Sequence, residues 1–288
     1  MRTLYVSDLD GTLLNSKDKV SSYSCETINR LVEEGMLFTY ATARSLVSAS
    51  VVTKGLTTRI PVIVYNGAFI FEPATGTILA SEGFTQEERV YVRETLEEHR
   101  ISPVVYSFIN GIEKVSWDTS KENEGKKRYI SKRPGDPRMR PLSSEGGLYD
   151  GEGFYYTCIG EKEELEPVYQ IFSQDERYTC TLQQELYRPE YWLEIMPRKA
   201  TKSNAICKLK KLWNCDRVVS FGDSLNDIPM FRISDECYAV ENACDALKDI
   251  ATGIIGKNDN DSVAMWLAGN GKKVQEKIGK CIARSSKM

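Results

Sequence analysis

Apolar runs that stop abruptly at a polar residue recur along this chain. Leu4-Tyr5-Val6 halts before Asp8, Met36 to Ala41 before Thr42, Pro61 to Tyr65 before Asn66-Gly67, and Arg217 to Phe221 before Gly222-Asp223. Continuous apolar runs of this length read as strands covered on both faces, as in a parallel sheet. Helical periodicity fills the gaps. Ser21 or Ser22 caps a helix to Glu34 with Ile28, Leu31 and Val32 on one side, and Gly35 ends it. A second helical stretch carries Leu46, Val47 and Val51, and a third, Lys202 to Leu212, carries Ile206, Leu209 and Leu212. Ala68 to Phe71 and Thr77 to Leu79, around Pro73 to Gly76, predict a hairpin. Near the end, Asn226 to Phe231 opens a helix, Cys237 to Val240 is a strand, and Ala243 to Ile250 follows as a helix. This alternation predicts a three-layer α/β fold with a mainly parallel sheet.

The middle of the chain has another character. A charged helix spans Gln86 to His99, and strands are expected at Val104 to Ile109, Phe154 to Ile159 and Tyr178 to Leu182, with a helix at Glu161 to Ser173. A long polar stretch, Thr119 to Gly153, separates the first two strands. We read residues 84–189 as an inserted α+β domain and residues 1–83 with 190–288 as the core, Leu193 to Met196 being the strand on which the first pattern resumes. Insertion is tolerated where two chain ends lie close together at a surface.

Composition narrows the function classes. The 288 residues are 41% hydrophobic and 27% charged, enough for a sizeable core. A formal net charge of -3 gives no attraction to a nucleic-acid backbone. The densest basic run, Lys126-Lys127-Arg128 with Lys132-Arg133, reads as a solvated face. No apolar run reaches the ~20 residues of a membrane span, and the opening run, cut by Asp8 and Asp10, is too short for a signal-peptide core. The eight cysteines, Cys25, Cys158, Cys180, Cys207, Cys215, Cys237, Cys244 and Cys281, form no CxxC, and His99 is the one histidine. That excludes a classical zinc site and predicts reduced, mostly buried thiols in a cytoplasmic protein, a monomer or weak homodimer with a frayed tail at Ser286-Lys287-Met288.

The strand ends carry the chemistry. Ligands of parallel α/β sheets bind at the carboxyl ends of the strands, where this sequence places Asp8 and Asp10, Thr42, Asn66, and Asp223 with Asp227. Any one of these is most simply a cap or a turn former; four strand ends in agreement point to a site. Four aspartates crowded together require a cation. Carboxylate oxygens without histidine or cysteine favour Mg²⁺ over zinc. Lys202 is the basic residue placed to offset a carboxylate or a phosphate.

The segment Asp8-Leu9-Asp10-Gly11-Thr12-Leu13 resembles the first motif of the haloacid dehalogenase-like hydrolases. Thr42-Ala43-Arg44 resembles the second, Lys202 the third, and Gly222-Asp223-Ser224-Leu225-Asn226-Asp227 the fourth. Asn66-Gly67-Ala68, Glu241-Asn242-Ala243 and Asn258-Asp259-Asn260-Asp261 are similar to segments of the Cof-type sugar-phosphatase branch. The resemblance implies a Rossmann-like core with a large α+β cap and a phosphatase acting on small phosphorylated metabolites, sugar phosphates foremost. It implies Asp8 as nucleophile, Asp10 as acid and base with its carbonyl on Mg²⁺, Thr42 and Lys202 on the transferring phosphoryl group, and Asp8, Asp10, Asp223 and Asp227 around the metal. By the same token Ala43, Arg44, Asn66, Gly67 and Asn226 line the phosphate or substrate. Ala43 stands where the family has glycine, which narrows the room near the phosphate, and Ser262 replaces a peripheral glycine. In the insertion, Tyr106, Trp117, Arg128, Tyr129 and Arg133 are candidates for substrate contact or for cap core.

Two other classes compete. A phosphomutase of the same fold would use the same Asp8 and Asp10 but return the phosphoryl group to a sugar. A non-enzymatic protein on a phosphatase scaffold would not keep the full aspartate, threonine and lysine set. A dinucleotide-dependent oxidoreductase is excluded by the absence of GxGxxG after the first strand.

Overall fold

The computed structural model describes residues 1–57, 59–184 and 188–270, so the tail read as frayed, with Cys281, lies outside the described residues. In chain order the elements begin with β1 (Thr3–Ser7), α1 (Ser22–Glu33), β2 (Leu37–Tyr40), α2 (Leu46–Val52), β3 (Val62–Val64), β4 (Phe69–Glu72) and β5 (Thr77–Ser81). Then come α3 (Gln86–Glu98), β6 (Val104–Ile109), β7 (Ile112–Asp118), α4 (Glu124–Ser131), β8 (Met139–Leu142), β9 (Glu152–Gly160), α5 (Lys162–Ser173), β10 (Tyr178–Gln184) and β11 (Tyr191–Pro197). The last group is α6 (Lys202–Leu212), β12 (Arg217–Gly222), α7 (Ile228–Arg232), β13 (Glu236–Val240), α8 (Asp245–Lys248) and β14 (Gly253–Ile255), with helical residues 262–270 after it. The chain divides into two compact units, Met1–Ser81 with the residues from Ala200 onward, and Glu82–Lys199.

The first unit is the α/β core that the alternation predicts. Its sheet runs β14-β13-β12-β1-β2, and every pairing is parallel. Leu4, Val6, Phe38, Val218 and Phe221 are buried in it, which is why these strands read as unbroken apolar runs. From β1 the chain moves to β2 on one side, while β12 and its successors lie on the other. The carboxyl ends of β1 and β12 therefore meet at the point where strand order reverses, the position at which open α/β sheets bind ligands. Serine caps set the helices that return from β1 and β2: Ser21 accepts from the Ser24 N–H and Ser45 from the Ser48 N–H. β3 touches the parallel sheet through the Ala41–Ile63 bridge and then heads the antiparallel sheet β3-β4-β5, the expected hairpin.

The second unit has a sheet ordered β10-β11-β9-β6-β7-β8, antiparallel except for β7 with β8. α3 and α5 bury Val92, Leu96, Leu165, Val168 and Phe172 against Val105, Tyr156, Leu193 and Ile195 of one sheet face. The strand expected at Leu193 to Met196 forms, but as β11 of this sheet, between β9 and β10, and not in the parallel sheet. Its buried Leu193 and Ile195 flank the half-exposed Glu194 in the two-residue alternation of antiparallel pairing. The polar stretch from Thr119 is not featureless, since it holds α4 and β8. Nor is Lys126 solvated: it is 4% exposed, and its ammonium donates to the carbonyls of Ser102 and Lys121. Tyr106, Trp117 and Tyr129 are buried, with the Arg133 guanidinium 3.6 Å from the Tyr129 ring centroid. No described helix is long and apolar enough to cross a membrane.

Candidate active site

The candidate catalytic, metal and phosphate-site residues all fall in the first unit, after β1, β2, β3 and β12 and at the start of α6, while the candidates in the insertion fall in the second. Asp8 leaves β1 with its N–H on the Phe221 carbonyl of β12 at 2.9 Å, so backbone pairing itself carries the carboxylate to the reversal point. An irregular helical turn, Leu9–Leu13, follows, in which Asp10 is extended (φ −72°, ψ 120°) and Gly11 is left-handed (φ 75°). A methyl group on Gly11 would lie 2.3 Å from Asp223 Oδ2, so only glycine lets this turn rest on Asp223. Thr12 Oγ1 donates to Asp223 Oδ1 at 3.2 Å.

Lys202 is the first residue of α6, where the helix dipole disfavours a cation. Two carboxylates hold it there. Its Nζ lies 2.5 Å from Asp8 Oδ1 and 2.7 Å from Asp227 Oδ1, and all three side chains are almost wholly buried. Burial alone would push the Lys202 ammonium down; together Asp8 and Asp227 outweigh it and raise it. Asp8 moves the other way from an ordinary carboxyl. Burial raises it to about 7, with Asp227 and Asp223 adding to the rise and Lys202 opposing it. Asp223, half-exposed, is raised to about 6, first by burial and then by Asp227.

One carboxylate oxygen from each of Asp8, Asp223 and Asp227 falls within 4.8 Å of the others. The donors are hard oxygens, and two of the carboxyls are raised first by burial and then by neighbouring aspartates, so this cluster fits a divalent cation that would offset its charge. The three are not equivalent. Asp227 is fully buried, with Oδ1 on Lys202 and Oδ2 accepting from the N–H groups of Asp223 at 3.1 Å and Ser224 at 3.2 Å. It orients its neighbours, while Asp8 and Asp223 keep more lone-pair capacity for a metal.

The loop after β2 supplies the other side. Thr42 is buried, and its hydroxyl oxygen accepts from the Arg44 N–H at 3.1 Å, which leaves its proton free to donate. Ala43 is exposed and is not among the positive-φ residues, so its methyl group causes no backbone strain. The Arg44 side chain, a candidate phosphate contact, is directed elsewhere. Its Nε reaches both oxygens of Asp10, at 3.0 and 2.9 Å, and its Nη2 reaches Oδ1 at 2.5 Å. This is the fork geometry of a guanidinium on a carboxylate.

Asn66 and Gly67 act through the backbone. Tyr65 and Asn66 are both left-handed (φ 51° and 53°), a strained conformation for a bulky tyrosine. Their N–H groups donate to Arg44 O and Thr42 O, stapling this turn to the loop after β2. On its other side, a methyl group on Gly67 (φ 100°) would lie 2.1 Å from Thr201 O and 2.9 Å from Lys202 N. The Tyr65-Asn66-Gly67 turn thus spaces Thr42 from the end of α6 that bears Lys202. Asn226 sits exposed in the short turn Leu225–Asp227 after β12.

Four contributors were invisible as site residues in the sequence: Thr12 on Asp223, Tyr65 in its strained turn, and Asn242 and Asn258, which bind the turn after Asp8. The asparagines do lie in segments that the family resemblance marks.

The chain is similar in sequence and in fold to known proteins. A model of the haloacid dehalogenase-like hydrolases matches residues 5–267. A 5-amino-6-(5-phospho-D-ribitylamino)uracil phosphatase of Bacillus subtilis is 24% identical over 90% of this chain and 95% of its own. A pyridoxal phosphate phosphatase of Escherichia coli is 25% identical over 90% and 95%. A crystal structure from Thermotoga maritima superposes with a TM-score of 0.73 at 25% identity, covering 92% of this chain and 96% of that one.

Proposed function

We propose, since the chain belongs to the haloacid dehalogenase-like hydrolases, that this enzyme is a Mg²⁺-dependent phosphatase of small phosphorylated metabolites with Asp8 as its nucleophile. The observation that carries the reading is the buried Asp8–Lys202–Asp227 array beside Asp223 at the reversal point of the sheet. In the first half-reaction an Asp8 oxygen bonds to phosphorus as the bond from phosphorus to the substrate oxygen breaks. Asp10 gives that oxygen its proton. In the second half-reaction Asp10 takes a proton from water, the water oxygen bonds to phosphorus, and the bond to Asp8 breaks, restoring both side chains and releasing inorganic phosphate. Lys202 opposes the protonation of Asp8 and offsets charge on the transferring group, and the Thr42 hydroxyl proton, which the Arg44 N–H leaves free, supplies a further donor. Asp8, Asp223 and the Asp10 carbonyl would hold Mg²⁺, with Asp227 steadying the set. When bound, the ion supplies Lewis-acid stabilisation of phosphoryl charge. Ala43, Arg44, Asn66, Gly67 and Asn226 form the rim, Arg44 acting through Asp10.

The substrate class follows from the relatives named above, whose substrates carry a phosphorylated ribityl chain or pyridoxal phosphate. Sugar phosphates and phosphorylated cofactors are therefore the compounds to test, with the second unit read as the domain that selects among them and the cytoplasm as the compartment. The test measures phosphate release from such a panel, with and without chelator, together with rapid-quench trapping of labelled phosphate on Asp8. We expect chelation to abolish release, Mg²⁺ to restore it, and Asp8→Asn to trap no label. Unchanged release under chelation, label on the Asp8→Asn chain, or isomerisation of a sugar phosphate without net release would each refute the reading.

A further inference from the structure

The runs Glu241-Asn242-Ala243 and Asn258 to Asp261 have no part in the chemistry above, yet they grip the segment after Asp8. Asn242 Nδ2 donates to the Gly11 carbonyl at 2.8 Å. Its Oδ1 accepts from the Asn258 N–H at 3.0 Å, which fixes which end of the amide faces Gly11, because a backbone N–H can only donate. Asn258 Nδ2 donates to the Leu14 carbonyl at 2.9 Å, Asp259 accepts from the Ser16 N–H at 2.7 Å, and Asp261 accepts from Ser24 Oγ at 2.8 Å. Of these contacts the first alone reaches the Gly11–Thr12 peptide, one peptide beyond Asp10. The other side of that peptide has no slack, because Gly11 rests on Asp223. Asp10 itself lies outside the sheet, half-exposed, with Arg44 as the partner of its carboxylate. Its direction rests on Arg44 and on the backbone of the turn, which Asn242 and Asp223 hold at Gly11.

We propose that Asn242 is a positioning residue for Asp10, holding the Gly11 carbonyl so that the Asp10 carboxyl is aimed at the oxygen it protonates. The inference rests on the functional reading above and adds to it a residue that acts through the backbone of the turn after Asp10. The Asn242 side chain is exposed, so the bond contributes little to stability. Its effect on geometry is larger, since displacing a reacting group by about 1 Å costs on the order of 10²-fold in rate.

The experiment compares kcat/KM for p-nitrophenyl phosphate, whose leaving group needs no proton, with that for the fastest of glucose 6-phosphate, fructose 6-phosphate and ribose 5-phosphate. Asn242→Ala and Asn242→Asp both remove the donor, and the second keeps the acceptor for Asn258. Each should lower kcat/KM for the sugar phosphate by about 10–100-fold and spare p-nitrophenyl phosphate to within about threefold, with Tm down by less than about 4 °C. Asp259→Ala loosens the same segment at Ser16 and should leave the ratio of the two substrates unchanged. Equal losses on both substrates, a ratio shift as large in Asp259→Ala, or no change in either Asn242 variant would overturn the inference while the parent enzyme stays active. A parent that releases no phosphate, or an Asp8→Asn variant as fast as the parent, would overturn the functional reading and the inference with it.

Discussion

Replacing Lys202 by methionine removes the cation held between the buried carboxylates of Asp8 and Asp227 and keeps the length of the side chain. At 2.5 and 2.7 Å, and with an effective dielectric of about 20, each attraction amounts to about 6 kcal/mol before desolvation. Desolvating three buried ions cancels most of that, so the assembled array contributes little net stability. Breaking it is another matter. Asp8 and Asp227 would remain buried and mutually repelling, a situation that costs about 3–5 kcal/mol. At roughly 2–4 °C per kcal/mol this corresponds to a fall in Tm of about 6–20 °C for the metal-free protein.

The loss should depend on pH in a fixed direction. The folded carboxyl of Asp8 is already raised to about 7, against an unfolded value near ~3.9. An acid raised in the folded state destabilises the fold in full above that pKa, and the penalty shrinks as the pH falls from the folded toward the unfolded value. Removing Lys202 removes the influence that lowers Asp8, so the carboxyl rises further. The Tm deficit should therefore be largest near pH 8 and shrink toward pH 5.5, where Asp8 can take up a proton. Added Mg²⁺ should recover part of it. Turnover should fall by about 10²–10³-fold with the metal present, the loss typical of one preorganised charge at a transferring group. Thermal melts at the two pH values, with phosphate-release rates, decide the matter. A variant within about 2 °C of the parent at pH 8, or a deficit that grows as the pH falls, would refute the assignment of Lys202 as the counter-charge.

Three other outcomes follow from the same geometry. Mg²⁺ affinity should weaken as pH falls through about 7 and then about 6, because Asp8 and Asp223 must lose protons to bind it; calorimetry should find about tenfold per pH unit for each proton displaced, and a flat profile would contradict it. Gly67→Ala should lower Tm and kcat together, because its methyl group would lie 2.1 Å from Thr201 O in a backbone that strains any side chain, at a cost of about 1–3 kcal/mol; parent-like melting and turnover would rule out that turn as the spacer beneath Lys202. Asp10→Asn should lose about 10²–10⁴-fold on sugar phosphates and far less in the first step with p-nitrophenyl phosphate, with acyl phosphate accumulating on Asp8; equal losses in that step would deny Asp10 the role of proton donor.

The legible part of this molecule is the part that local pattern determines. A strand buried on both faces must be apolar, its end must turn, and a polar residue there is visible without knowledge of its neighbours. Asp8, Thr42, Asn66 and Asp223 were readable for that reason, and the parallel order of β1, β2 and β12 then brings their ends together. β11 shows where the rule needs more care. Leu193 and Ile195 are apolar, but the intervening Glu194 is the alternation of a one-sided strand, and that signal favours the antiparallel sheet in which β11 lies. α4 and β8 were hidden because their stretch is polar, and Lys126 because a buried lysine satisfied by two carbonyls looks, in sequence, like a solvated one.

What the sequence withheld is the choice of partner. Arg44 follows Thr42 and so reads as a phosphate ligand, yet its guanidinium has a carboxylate within reach because β1 and β2 are parallel neighbours. Thr12 and Asp223 lie 211 residues apart, and Asn242 and Gly11 lie 231 apart. No periodicity links such positions, since each bond depends on the whole sheet being assembled. The same dependence explains why these residues matter. Asp8, the proposed nucleophile, is placed on its strand end by the sheet itself, through its N–H on Phe221 O. Asp10, two residues further on, has left the sheet, and its direction rests on side chains contributed from elsewhere: Arg44 on its carboxylate, Asn242 on the following carbonyl and Asp223 against Gly11. The proposed acid, which would meet both a leaving oxygen and an incoming water, is thus fixed by contacts that can be altered singly, while the proposed nucleophile is fixed by the core.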